Sequence, residues 1–431
     1  MLTPTTDNNC GNFQVPDEHC ENLLSIGNKD IRHLCEQNPD LLIFPQSLGK
    51  YHDDIEKSHI FLLQNNNLTT YNIMGFVGRN KTQLTISSRF AKNDKHDYFL
   101  HYMLQKVFSI NLLKFDQTPN KENVWDFLLY LFPYYLKKAY SQGLYKAYKR
   151  EEYNDANVKG AIDVARHIRT NIPFCGKIAY TTREHSHDNS VTQLVRHTIE
   201  HIKTHSFGSG ILISDSETSD IVSKFCFVTQ NTYNKNARQK IISANLRPVS
   251  HPYFTKYKML QKICLRILQR EKLTFGTEKD RIYGLLFDGA WLWEEYLNKV
   301  FIEHKLNFIH AENNIGKNPI YLFENHSYER FPDFYKNNIV LDAKYKKLDF
   351  KNVDRNDLHQ IISYIYIQQA KLGGFVYPCN TKNTIEAIGF LNGYKGEVKK
   401  WGLQIPQEEK NFTDFQKKMK TNEQLLNFDE K

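Results

Sequence analysis

The chain has 431 residues, enough for two or three domains that each bury a core of their own. Its 57 Lys and Arg against 48 Asp and Glu give a net charge of +9, which suits a polyanionic partner without requiring one. The seven cysteines are odd in number, scattered and without a CxxC pair, which fits a reducing cytosol better than a disulfide framework. No signal-type apolar segment and no run of about 18 apolar residues occurs, so neither secretion nor membrane spanning is expected.

Residues 1–55 are mixed and polar, with short apolar pieces such as Leu41-Leu42-Ile43-Phe44. Strand-like segments follow at 60–63, 71–78 and 83–90. The polar runs Gln64-Asn65-Asn66-Asn67 and Gly78-Arg79-Asn80-Lys81 between them read as turns. From Asp97 the period becomes helical, with Phe99, Met103, Val107 and Phe108 on one stripe and Trp125 to Lys138 continuing the pattern. After a charged loop, helices are expected over Ala161–Arg169 and Thr192–Thr204, then over Glu217–Lys272 with a break at Arg247–Pro252. In the last third a helix at 284–303 precedes strands near 318–323, 331–335 and 339–345. A helix at 356–371 follows, ended by Gly373-Gly374, then strands at 375–377 and 384–391. The reading is an α+β multidomain chain: a small β-rich N-terminal domain (1–95), a mainly helical middle region (96–270), a C-terminal α/β domain (271–405) and a charged tail (406–431).

Chemistry concentrates in Phe331-Pro332-Asp333-Phe334-Tyr335-Lys336-Asn337-Asn338-Ile339-Val340-Leu341-Asp342-Ala343-Lys344-Tyr345. Asn tolerates the positive φ of a two-residue hairpin turn, so Asn337-Asn338 pairs 336 with 339, 335 with 340, 334 with 341 and 333 with 342. Asp333 and Asp342 then face each other, and Lys344, two residues on, points to the same side. Like charges directly opposite on paired strands are destabilising, and a divalent cation between them removes that cost. Two carboxylates holding Mg²⁺, with the Ala343 carbonyl as a further oxygen and a lysine for the water or transition state, suit phosphodiester hydrolysis. Gln360 and Tyr364 are at i, i+4 on the following helix and share a face. Upstream, Glu294 or Glu295 could complete the metal shell.

Pro332-Asp333, Asp342-Ala343-Lys344 and Gln360-x-x-x-Tyr364 resemble the PD-(D/E)xK nuclease pattern with the Gln-xxx-Tyr motif of its RecB-like branch. The wider chain resembles the McrC-like subunits of McrBC-type and LlaJI-type restriction systems. The matching segments are Gly160–His167, Thr182–Asn189, Gly284–Asp288 through Trp293–Tyr296, and Gly75-Phe76-Val77-Gly78 with Leu84-Thr85-Ile86. That resemblance implies a C-terminal restriction-endonuclease-like domain cleaving double-stranded DNA with Mg²⁺ in the bacterial cytoplasm. Asp333, Asp342 and Lys344 would be catalytic, Asp333, Asp342 and Glu294 would hold metal, and Gln360 and Tyr364 would support them. It also implies that the N-terminal part docks on a hexameric AAA+ GTPase, McrB, and stimulates it. Consistently, the chain contains no GxxxxGK[ST], so nucleotide hydrolysis is expected from the partner. Arg79, Lys81, Arg183 and Arg196 are candidates for motor or phosphate contacts, and His185, Ser186 and His187 for a structural or interface role. A RecB-like processing exonuclease and a non-enzymatic adaptor of an AAA+ motor are the alternatives.

Overall fold

The computed structural model describes residues 2, 4–38, 41–45, 58–91, 97–108, 121–205, 208–213, 215–269, 282–312, 316–348 and 353–428. The expected domain start at 271 and the end of the helix expected to reach Lys272 lie outside them. The chain is a mixed α+β molecule of two compact units, one made of residues 1–124 and 278–431 and the other of residues 125–277. Among the described residues, no helix is long and apolar enough to cross a membrane.

The first unit joins the two ends of the chain. Its five-stranded sheet runs Thr5–Thr6, Thr82–Ser87, Ile73–Arg79, Ile282–Asp288, Leu41–Phe44. The strand Ile282–Asp288 replaces the first part of the helix expected from 284. Its Ile-Tyr-Gly-Leu-Leu-Phe-Asp sequence is buried throughout, so an apolar run that looks helical at its start is a strand covered on both faces. It pairs antiparallel with Ile73–Arg79 and parallel with Leu41–Phe44, inside a sheet the sequence reading confined to residues before 95. Gly75 makes this pairing possible. Its φ is +125°, and a Cβ there would stand 2.1 Å from the Leu285 carbonyl oxygen.

Asp288 ends that strand and caps the next helix, Gly289–Glu303, by accepting the Trp291 backbone N–H at 2.8 Å. This upstream helix lies on a six-stranded mixed sheet. The sheet order is Ile309–His310, Phe334–Lys336, Ile339–Ala343, Leu372–Cys379, Glu397–Gln404, Thr384–Phe390. Trp293, fully buried, donates its indole N–H to the Val376 carbonyl at 3.1 Å, and Phe301 meets Phe334 edge-on with centroids 4.8 Å apart. The downstream helix, Arg355–Gln368, is the crossover between the parallel strands Ile339–Ala343 and Leu372–Cys379. Its Ile361, Tyr364 and Ile365 pack with Val340 and Phe375.

Gly373-Gly374 does not end the downstream helix as expected. Gln369 does, in a left-handed conformation at φ 51°, and the glycines belong to the next strand. A side chain at Gly373 would collide with Ile365, so glycine there lets the helix lie close on the sheet. The strand Glu397–Gln404 was missed, and the charged tail contains a helix, Phe412–Gln424. That helix is docked through Glu423, which is buried and accepts hydrogen bonds from Tyr102 at 2.9 Å and Tyr296 at 2.6 Å.

The second unit carries helices Ser190–Lys203, Ser216–Val228, Arg238–Ala244 and Tyr257–Gln269, close to the expected helical stretches. It also holds a three-stranded sheet, Ala147–Asp155, Ile178–Ser186 and Ala161–Ile162; the first strand stands where a charged loop was expected, and the helix expected over Ala161–Arg169 forms as Val164–Thr170, after the short third strand. Ala147–Asp155 is rich in Lys, Arg and Glu and mostly solvent-facing, so it lacks the apolar alternation that marks a half-buried strand.

Replacing Gly75 with alanine should cost about 2–4 kcal/mol, since it adds both a strained φ and a backbone clash. Chemical denaturation of the full chain checks this, and stability equal to wild type would contradict the close-approach account.

Candidate active site

The hairpin forms in the expected register. Phe334 pairs with Leu341, Tyr335 with Val340 and Lys336 with Ile339, and Asn337 sits at φ 41° in the turn. Regular pairing stops at Phe334, one residue short of Asp333. The Asp333 carboxylate continues the connection, its Oδ2 accepting the Ala343 backbone N–H at 2.5 Å. Phe334, Leu341 and Ala343 are buried on the face opposite Asp342, as alternation requires.

Asp333, Asp342, Lys344, Glu294, Gln360 and Tyr364 all line one cleft of about 1030 Å³. All six expected site residues therefore meet in one place, supplied by the hairpin and by the helices before and after it. Glu295 does not line this cleft, and its Oε1 lies 3.9 Å from His310 Nε2. The far wall comes from the N-terminal β region, through residues such as Tyr71, Asn72 and Arg89.

Lys344 is the hub. Its ammonium stands 2.6 Å from Asp342 Oδ2 and 3.4 Å from Asp357 Oδ1, and donates to Gln360 Oε1 at 2.9 Å. Gln360 in turn donates through Nε2 to the Tyr364 hydroxyl at 2.9 Å, and Tyr364 donates to the Phe331 carbonyl at 3.2 Å. The Gln–Tyr pair thus links the lysine to the start of the hairpin. Burial works against the Lys344 charge, but the Asp342 carboxylate beside it outweighs that and lifts its pKa above the ordinary range.

The acids are forced the other way. Burial, then the charge of Asp342, pushes Asp333 up to about 7, with Lys344 pulling it partly back. Burial likewise raises Asp342 against the pull of Lys344. Glu294 is raised well above the usual carboxylate range by burial and by Asp333, Asp342 and Asp288. His310 donates its Nδ1–H to the Asp333 carbonyl at 2.9 Å, and stacks on Phe334.

Among the described residues, no three His, Cys, Asp or Glu side chains are arranged as a ready metal cage. The donor chemistry nevertheless fits a hard divalent cation. Carboxylates crowd one cleft at mutual cost, and Asp342 Oδ2, with its residue only 1% exposed, meets Lys344 as a close ion pair without good hydrogen-bond geometry.

Residues 68–378, more than half of the chain, match the family model described as McrBC 5-methylcytosine restriction system component. The chain belongs to the McrBC family. No match is found among curated proteins. Two solved structures from Thermococcus gammatolerans are similar at low identity. One is a refined half-complex from a tetradecameric assembly of McrB AAA+ hexamers with bound McrC, at 14% identity and a TM-score of 0.42, covering 87% of this chain and 89% of that one. The other is the McrBC complex, at 13% identity and a TM-score of 0.29, covering 65% and 83%. The family assignment rests on the family-model match.

Two site residues of this McrBC-family chain escaped the sequence reading. Asp357 and Lys346 both line the cleft, and Lys346 Nζ pairs with Asp357 Oδ2. Residues 357, 360 and 364 recur at helical spacing on one face, a signal that the Gln-xxx-Tyr motif overshadowed. Arg183, His185 and Arg196 are not among the residues that line the cleft. Arg196 bonds the Cys226 carbonyl and stacks over Tyr233, while Arg183 and His185 both lie against the Tyr148 ring.

Because the folded pKa of Asp333 is raised above its ordinary 3.8 to about 7, the folded state holds that proton more tightly. Stability from this group is therefore present at low pH and lost as pH rises through about 7. In metal-free buffer, Asp333→Asn should melt higher than wild type near pH 8, the difference shrinking towards about pH 4. A lower melting temperature near pH 8 would contradict this reading.

Proposed function

We propose that this chain is the McrC-like, DNA-cutting subunit of an McrBC restriction complex, a Mg²⁺-dependent PD-(D/E)xK endonuclease working with an AAA+ GTPase hexamer that it stimulates. The observation that carries the reading is the convergence of Asp333, Asp342 and Lys344 with Gln360 and Tyr364 on one wall of a single cleft. Asp333 and Asp342 would hold Mg²⁺, with Glu294 as the third acid. Bound there, the ion would supply an activated water and offset charge on the scissile phosphate. Lys344 presents a fixed cation to that phosphate or to the attacking water, and Gln360 with Tyr364 keeps its amine from swinging away. The net charge of +9 favours a polyanion.

Family membership supports the motor role, and a sequence without a P-loop fits nucleotide hydrolysis by a partner. In this reading the N-terminal β region carries the docking surface for the motor. The complex should be reconstituted with the AAA+ GTPase and offered plasmid DNA. Asp342→Ala and Lys344→Ala should each lower cleavage by about 100-fold or more while leaving GTPase stimulation in place. Cleavage at the wild-type rate by both variants would refute the assignment.

A further inference from the structure

Asp357 lies in the first turn of the downstream helix, one turn before Gln360 and two before Tyr364. It is 8% exposed and faces the cleft, where an unpaired carboxylate would be costly. Its two oxygens are divided between two lysines. Oδ1 stands 3.4 Å from Lys344 Nζ, and Oδ2 pairs with Lys346 Nζ. Lys344 directly follows the hairpin strand Ile339–Ala343 and Lys346 stands two residues further on, and both ammonium groups reach the same carboxylate.

The consequence concerns Lys344. With Asp342 as its only carboxylate, the ammonium would be left with the neutral Gln360 alone whenever Asp342 turned to another partner. Asp357 supplies a second, independent anchor on a different element, and Gln360, one turn along the same helix, supplies a neutral third. A charged residue held by fixed partners stays pre-organised for the group it must meet. We propose that Asp357 is a positioning residue for Lys344, and that by sharing its carboxylate it also keeps Lys346 at the cleft as a second cation for the phosphate backbone. The inference rests on the reading of this cleft as a nuclease site.

The test has two arms. On the full chain alone, competitive acetylation with acetic anhydride followed by peptide mass spectrometry reads each lysine's amine. Asp357→Asn should raise labelling of Lys344 and Lys346 about threefold or more while exposed Lys371 stays constant. Unchanged labelling at Lys344 would overturn the inference. In the reconstituted complex, Asp357→Asn should lower kcat about 10- to 100-fold, raise KM for DNA by a smaller factor through the release of Lys346, and leave GTPase stimulation unchanged, and Asp357→Glu should recover part of the loss. Wild-type cleavage by Asp357→Asn, or a parallel loss of cleavage and GTPase stimulation, would also overturn it. If instead Lys344→Ala cuts as wild type, the nuclease reading fails, and the labelling arm still decides whether Asp357 holds the lysine.

Discussion

Two buried carboxylates at the open end of one hairpin repel each other, and much of this fold keeps them together. Asp342 lies on a hairpin strand and Asp333 just before the paired one, tied to it through the Ala343 N–H, and burial deepens the penalty by removing water. Lys344 offsets part of it from the same strand. Stability alone would favour an apolar pair at those two positions, so the arrangement makes sense as a site where charge is needed.

The remaining elements hold that strained pair in place. Trp293 ties the upstream helix to the strand beside Asp342, which fixes Glu294 at the cleft. Tyr345, the residue after Lys344, is bound from the N-terminal side: its hydroxyl is 2.7 Å from Ser88 Oγ, and Arg89 lies over its ring at 4.9 Å. Gly289 makes room for the same ring. The N-terminal sheet and the hairpin are thus parts of one packed unit, which gives a physical route by which binding at one could alter the other.

Much of the site was legible because short-range geometry determines it. A two-residue Asn-Asn turn sets the register, alternation sets which side chains share a face, and helical spacing pairs Gln360 with Tyr364. What was not legible depended on distant partners. Nothing near Ile282 shows that it will pair with Arg79, so the strand Ile282–Asp288 read as helix and the division of the chain was drawn as consecutive pieces. Gly373 read as a helix terminator because its actual neighbour, Ile365 across the packed layer, is invisible in a linear pattern. The charged strand Ala147–Asp155 read as loop and Ile178–Ser186 drew no assignment, because their mutual pairing, rather than an apolar face, makes them strands. Asp357 went unnoticed because its partners, Lys344 and Lys346, come from another element.

The central claim is that Asp333 and Asp342 are kept opposed in order to hold a divalent cation. The most direct measurement is a crystal structure of the full chain soaked in Mn²⁺, read by anomalous scattering. The account predicts a manganese peak between the two carboxylates, with Lys344 Nζ moved away from Asp342 Oδ2 and still near Gln360. Absence of a peak there at millimolar Mn²⁺, with the Lys344–Asp342 pair undisturbed, would contradict it.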